Sequence, residues 1–113
     1  MAREAQDGMR LTINCLESDR HGGQPLYEWL LAEGLERGIA RGTIFKAFAG
    51  FGRRRRMHTQ KLLALSHDLP VRVVFIDTPG SINLFLEQIA EVIEPYTYVM
   101  ENVRFHPSST KCD

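Results

Sequence analysis

The stretch Pro70-Val-Arg-Val-Val-Phe-Ile-Asp77, followed directly by Thr78-Pro79, decides the fold. Its first part is a nearly continuous apolar run of strand length, typical of a strand covered on at least one face. Threonine is a favoured helix cap, and proline is favoured at the first helical position. Apolar residues then recur at helical spacing, at Ile82, Phe85, Leu86, Ile89 and Ile93. This part of the chain therefore predicts a strand that leads into an amphipathic helix ending at Pro95.

The flanking segments predict a second strand and helix unit and two further strands. Residues 9–16 alternate apolar and polar side chains, which indicates a half-buried strand. A helix is predicted over residues 25–37, where Gly38 stops it, and strands over residues 43–51 and 96–105. This element order predicts an α+β fold, the ferredoxin-like βαββαβ sandwich, with a four-stranded antiparallel sheet and two helices on one face.

A long connection, residues 53–70, separates the second and third predicted strands. Loops of this length in a compact domain are usually functional or partly ordered. We expect Thr59 to cap a short helix within it, and that helix would bear Leu62, Leu63 and Leu65. This helix would anchor the second half of the loop and leave the first half free.

The sheet face away from the helices is also expected to be apolar. Leu16, Val74 and Ile76 fall on the second side of their strands, and Tyr96 and Tyr98 are expected to point outwards as well. A face of this kind favours oligomerisation through the sheet.

The composition describes one small globular domain. The chain has 113 residues, of which 43% are hydrophobic and 25% are charged, so it is neither disordered nor membrane-spanning. We expect disordered ends at residues 1–8 and 107–113 around a domain at residues 9–106.

The charged N-terminus lacks a secretory pattern, so a cytoplasmic location is expected. Cys15 and Cys112 form neither a disulfide framework nor a metal-ligand spacing and are expected to be free thiols.

The net charge of zero conceals a strongly basic middle third. Residues 37–67 contain no Asp or Glu, and they include the run Arg53-Arg-Arg-Arg56. The resulting positive potential favours an anion or an acidic partner, although a solvated loop that keeps the protein soluble is an alternative interpretation.

Two glycine-containing segments could bind phosphate groups. His21-Gly-Gly-Gln-Pro25 opens onto a helix N-terminus, where backbone N–H groups and the helix dipole attract anions, although the glycines could serve only the turn. In Gly50-Phe-Gly-Arg-Arg-Arg-Arg-Met-His58, arginine side chains suit phosphate oxygens. We expect the two segments to leave opposite ends of the sheet, so that they would meet on one ligand across a subunit interface.

Other chemistries have weaker support in the sequence. The four histidines lack metal-ligand spacing. Ser18, Asp19 and His21 are the residue types of a hydrolytic triad, but they are too close in sequence to adopt its geometry. A nucleic-acid module of this topology would need stacking aromatics on the central strands, where only Phe75 is available, so nucleic acid is an unlikely partner. The alternatives are a small enzyme acting on an anionic metabolite and a nucleic-acid-binding module, since the arginine run could bind phosphate backbones without sequence preference. No catalytic residue is predicted.

Four separated segments together resemble the PII-like proteins of domain-of-unknown-function family 190. They are Glu17-Ser-Asp-Arg-His-Gly-Gly-Gln-Pro-Leu-Tyr27, Gly50-Phe-Gly52, Met57-His-Thr59 and Leu65-Ser-His-Asp-Leu-Pro70. The resemblance covers about residues 9–105 and implies a trimeric signalling protein that binds adenine nucleotides in clefts between subunits. It also implies a target protein engaged by the loop at residues 52–60, for which a membrane transporter or channel is one candidate.

Together, the residue chemistry and the resemblance predict a regulatory protein without a required cofactor, for which an adenine nucleotide is the effector ligand. The four adjacent arginines depart from the family pattern at residues 53–55, which leaves the ligand's identity open. The predicted ligand-binding residues are Ser18, Arg20, His21, Gly22, Gly23, Gly50, Gly52, Arg53, Arg54, Arg55, Arg56, His58 and Thr59.

Overall fold

The structure is a computed structural model, which describes residues 4–59 and 68–108. The element bounds are β1 Gln6–Leu16, β2 Arg20–His21, β3 Gln24–Pro25, α1 Leu26–Glu36, β4 Arg41–Lys46, β5 Ala49–Gly50, β6 His58–Thr59, β7 Pro70–Asp77, α2 Pro79–Ile93 and β8 Thr97–Phe105. The predicted short helix over residues 60–67 and the end of the tail, residues 109–113, lie outside the described residues, as do residues 1–3. No helix within the described ranges is long and apolar enough to cross a membrane.

The four long strands form one sheet in the order β4-β7-β1-β8, in which all neighbours are antiparallel. Both helices cover the same face of this sheet. Their buried residues, such as Leu30 and Phe85, share one core with Leu11, Val73 and Phe75 of the strands. The ferredoxin-like sandwich is therefore confirmed.

Helix α2 begins at Pro79 as predicted, whereas α1 begins at Leu26 and ends at Glu36, one residue inside each predicted bound. In α2, the backbone N–H of Ser81 donates to the hydroxyl oxygen of Thr78 at 3.3 Å, and Pro79 is the first helical residue. Helix α1 follows Pro25 and ends before Gly38, whose φ of +81° is easily adopted by glycine. The N–H of Ile39 then donates to the Gly34 carbonyl at 2.9 Å, which turns the chain towards β4.

Two predicted strand boundaries were inaccurate. The sheet begins at Gln6 rather than at residue 9, because residues 6–8 pair with the end of β8. The strand predicted over residues 43–51 is divided into β4 and β5, and β5 pairs with β6 in a separate small hairpin.

The expectation that Tyr96 and Tyr98 point away from the helices was also wrong. Tyr98 pairs with Ile13, whose side chain is completely buried beneath the helices. Cross-strand partners share a face, so Tyr98 lies on the helix side. Tyr96 packs against the same core. The reason is register, because a shift by one residue moves a side chain to the other face.

Candidate functional site

The two predicted phosphate-binding segments leave the same end of the sheet. Strands β1 and β4 are each antiparallel to β7, so they run parallel to one another. The last residue of β1, Leu16, pairs with Pro70, and the last residue of β4, Lys46, pairs with Val71. The prediction of opposite ends was therefore wrong, since a crossover through α1 returns the chain to the same starting end.

Hydrogen bonds join the segment after β1 to the chain just before β7. The Ser18 hydroxyl donates to Asp68 at 2.7 Å, and the Ser18 backbone N–H donates to the other carboxylate oxygen at 2.9 Å. The Glu17 N–H donates to the Leu69 carbonyl at 3.0 Å, while the Leu69 N–H donates to the Glu17 carboxylate at 3.2 Å. We call residues Glu17, Ser18, Asp68 and Leu69 the clamp, because they hold the two segments together.

The clamp reaches β4 through an ion pair. Lys46 Nζ lies 2.9 Å from Glu17 Oε2 and 5.4 Å from the centre of the Tyr27 ring. The hydrogen bond from Lys46 lowers the pKa of the Glu17 carboxyl, and the same contact raises the pKa of Lys46. Sequence reasoning had missed Lys46, Tyr27 and Asp68 as partners at this site, since their contacts arise only when the strand ends come together.

A cluster of titratable groups lies beneath the clamp. Asp19 Oδ2 accepts a hydrogen bond from the Leu16 N–H at 2.7 Å. Burial, with a smaller contribution from Asp19, raises the pKa of the Cys15 thiol to about 12. Burial also raises the pKa of Tyr96, with Asp19 and Cys15 contributing. Cys15 and Tyr96 are therefore neutral near pH 7, and both pack into the protein's interior.

The glycine turn at Gly22 and Gly23 connects β2 to β3. The two glycines have φ values of +60° and +79°, and a Cβ atom added to either would meet open space. The Arg20 guanidinium donates to the Gly23 carbonyl at 2.8 Å, which closes the turn. His21 packs edge-on against Trp29, with ring centres 4.4 Å apart. The turn is thus exposed and lies beside the N-terminus of α1, while Arg20 and His21 contact neighbouring groups that support its shape.

The arginine run lies at the tip of the hairpin formed by β5 and β6. Residues 51–57 are all exposed, and the Arg55 N–H donates to the Gly52 carbonyl at 2.9 Å to form a turn. Arg55 has a φ of +62°, and its guanidinium lies over the Phe51 ring at 5.0 Å. His58 and Thr59 are half-buried at the hairpin base, where Gly50 approaches Pro70.

The structure thus gives the predicted residues different surroundings. Ser18, Arg20 and His21 already contact protein groups, whereas Gly52 and Arg53 to Arg56 face solvent. The clamp and the Lys46 ion pair join the bases of the two loops at one end of the sheet. Within residues 4–59 and 68–108, no group of three or more His, Cys, Asp or Glu side chains is arranged to hold a metal ion.

Solved structures with a similar fold include PII-like proteins. The PII-like protein CPII from Thiomonas intermedia K12, solved bound to ADP, AMP and bicarbonate, matches with a TM-score of 0.67 and 14% identity over 94% of each chain. A putative PII-like signalling protein from Thermus thermophilus matches with a TM-score of 0.62 and 19% identity, over 91% of this chain and 93% of that one. The fold is therefore that of the PII-like class.

The family follows from sequence similarity. Residues 8–105 match the DUF190 family, described as Uncharacterized ACR. A UPF0166 protein from Aquifex aeolicus (strain VF5) is 39% identical over 79 residues, which are 70% of this chain and 75% of the relative. The chain belongs to the DUF190 family, as its four sequence segments indicated.

Proposed function

We propose that this protein is a PII-like regulator that binds an adenine nucleotide, or a similar phosphorylated ligand, and contacts a target protein through the hairpin at residues 51–59. The observation that carries the proposal is the common position of the glycine turn and the arginine hairpin at one end of the sheet. The solved structure of CPII from Thiomonas, which has this fold, contains ADP and AMP. That ligand class supports an adenine nucleotide here.

The two loops offer complementary groups to a phosphate chain. Gly22 and Gly23 leave room for close approach, and the adjacent end of α1 carries the positive pole of the helix dipole. The Arg55 guanidinium lies 5.0 Å from the centre of the exposed Phe51 ring, and guanidinium N–H groups suit phosphate oxygens. A bound nucleotide would order the hairpin, and it would act as a signal because the ordered hairpin has a different affinity for the target. In this proposal the protein is a sensor and catalyses no reaction.

The proposal includes a trimer assembled through the sheet face opposite the helices. That face carries Phe45, which is 54% exposed, and Val99, which is 45% exposed. Val74 and Thr12 lie between them in the sheet and are less exposed. Such an apolar surface favours self-association. Since both loops leave one end of a single chain, a subunit boundary is not needed to bring them together, but it would enclose the ligand.

Isothermal titration with AMP, ADP, ATP and cyclic nucleotides, together with the mass of the protein in solution, tests the proposal. We expect a trimer that binds one nucleotide per subunit. Arg56→Ala should weaken binding by about tenfold or more, because it removes a charged donor to phosphate. Arg104→Ala is the matched control, since Arg104 is an exposed arginine at the opposite end of the sheet.

The outcomes separate the parts of the proposal. The absence of heat with every nucleotide would overturn the nucleotide site, and a monomeric mass would overturn the trimer. Equal losses in the two arginine variants would show that binding does not use the hairpin. Nucleotide turnover that is lost in His58→Ala, with affinity retained, would instead identify an enzyme.

A further inference from the structure

The arginine hairpin and the residue before it carry exposed apolar side chains beside the cations. Phe48 is 75% exposed, Phe51 is 58% exposed and Met57 is 62% exposed. These three residues lie within ten positions of one another, and Arg53 to Arg56 lie between Phe51 and Met57. Exposed large apolar groups that cluster on one protrusion usually mark an interaction surface. We use the name hairpin tip for residues 48–57, which are the exposed loop at residues 51–57 together with Phe48 and the strand β5 that lead into it.

The sequence segment that contains the hairpin tip carries charge of one sign. Residues 37–67 contain no acidic residue, so the arginines have no acidic neighbour in their own segment. Across the fold, the acids beside the hairpin base are those of the clamp, where Glu17 pairs with Lys46 and Asp68 accepts from Ser18. A positive surface with interspersed apolar groups complements a partner with an anionic layer over an apolar one.

We propose that the hairpin tip binds the surface of an anionic lipid membrane. The arginines would lie among the headgroups, and Phe48, Phe51 and Met57 would enter the boundary with the acyl chains. This inference rests on one part of the proposed function, namely that the hairpin contacts a target. It does not depend on nucleotide binding. It adds that the target is met at a membrane.

Two observations favour a membrane over single-stranded nucleic acid. Single strands stack successive bases on several open aromatic faces, but the Arg55 guanidinium lies over the Phe51 ring at 5.0 Å, which leaves Phe48 as the one open ring among residues 48–57. Met57, which is 62% exposed, offers no ring on which a base could stack. An aliphatic side chain beside arginines suits insertion beneath headgroups.

The test is co-sedimentation of the full chain with phosphatidylcholine vesicles that either contain or lack phosphatidylglycerol. We expect binding only to the anionic vesicles. Replacing Arg53 to Arg56 by Gln should reduce the affinity by roughly two to three orders of magnitude, since each cation near such a surface contributes about fivefold. The triple variant Phe48→Ser, Phe51→Ser and Met57→Ser keeps every charge and should still lose about tenfold or more.

Matched controls are available at other exposed positions. Leu35 is 82% exposed on α1, so Leu35→Ser removes an apolar side chain outside the hairpin, and Arg104→Gln removes a cation at the opposite end of the sheet. Neither should change vesicle binding. Because all the substituted hairpin residues are exposed, the variants should keep the wild-type circular dichroism spectrum.

Several results would overturn the inference. These are no binding to anionic vesicles, equal binding to neutral vesicles, or a serine triple variant that binds as tightly as wild type. A single-stranded oligonucleotide could also displace the protein from the vesicles. If it does so at a concentration below that of the lipid, the hairpin tip is assigned to nucleic acid instead. Nucleotide titration of the same samples separates the two proposals, since retained nucleotide binding with no vesicle binding would overturn only the membrane contact.

Discussion

Replacement of Gly34 by alanine should destabilise the fold, because the site leaves no room for a methyl group. A Cβ atom added at Gly34 would overlap the Phe75 ring, because it would lie 2.3 Å from Cε1 and 3.0 Å from Cδ1. Phe75 is 1% exposed and packs edge-on against Phe85, with ring centres 4.9 Å apart. The ring therefore cannot move aside without disturbing the centre of the core.

The expected change in the free energy of unfolding is the difference between two opposing effects. Overpacking of a core costs up to about 3 kcal/mol, while removing a glycine from a helix interior returns about 1 kcal/mol. The free energy of unfolding should therefore fall by about 2 kcal/mol. Gly80→Ala is the matched control, because Gly80 is also in a helix but has no atom near its added Cβ. That variant should be unchanged or more stable by about 0.5 kcal/mol.

Urea unfolding followed by circular dichroism measures both variants. All samples must be compared at one protein concentration, because self-association would add to the apparent stability. A Gly34→Ala protein as stable as wild type would refute the packing of α1 against β7 described above. An equal loss in Gly80→Ala would show that the cost arises from the helix and not from Phe75.

Two further predictions concern the titratable groups near the clamp. The ion pair with Lys46 lowers the pKa of Glu17, so its contribution to stability is present above the ordinary value of 4.5 and is lost as the pH falls through the lowered pKa. In Lys46→Gln, a carboxyl carbon NMR titration should show this pKa moving upwards, and an unchanged value would contradict the pairing. Burial raises the pKa of Cys15 to about 12, so in a Cys112→Ser background its alkylation by iodoacetamide at pH 8 should be slower than in urea by about three orders of magnitude. Equal rates in the two solutions would show that the thiol is accessible.

The clamp gives the family segment around Glu17 a structural role beside any contact with a ligand. Ser18 and Asp68 fasten the long connection to the exit of β1, and the Lys46 ion pair adds the exit of β4. Three chain segments are thereby held at one end of the sheet, from which both the glycine turn and the hairpin extend. The segment that leads into the glycine turn is therefore hydrogen-bonded to the chain just before β7 and ion-paired to the end of β4.

The local sequence by itself determined the elements and their order. The apolar run of β7, the Thr78 cap with Pro79 and the helical spacing from Ile82 to Ile93 depend on contacts between near neighbours, so they can be recognised in the chain. The order of these elements then leaves few topologies, and the ferredoxin-like sandwich is the one observed.

Tertiary structure alone decided which residues meet. The outward position predicted for Tyr98 was wrong because strand register sets the face of a side chain, and register depends on a distant partner strand. The two loops share one end because the crossover through α1 makes β1 and β4 parallel, which the residue pattern does not display. The pairing of Ser18 with Asp68, 50 positions apart, likewise exists only after the sheet has formed. Local interactions thus specify the elements, whereas the site depends on contacts between residues far apart in the chain.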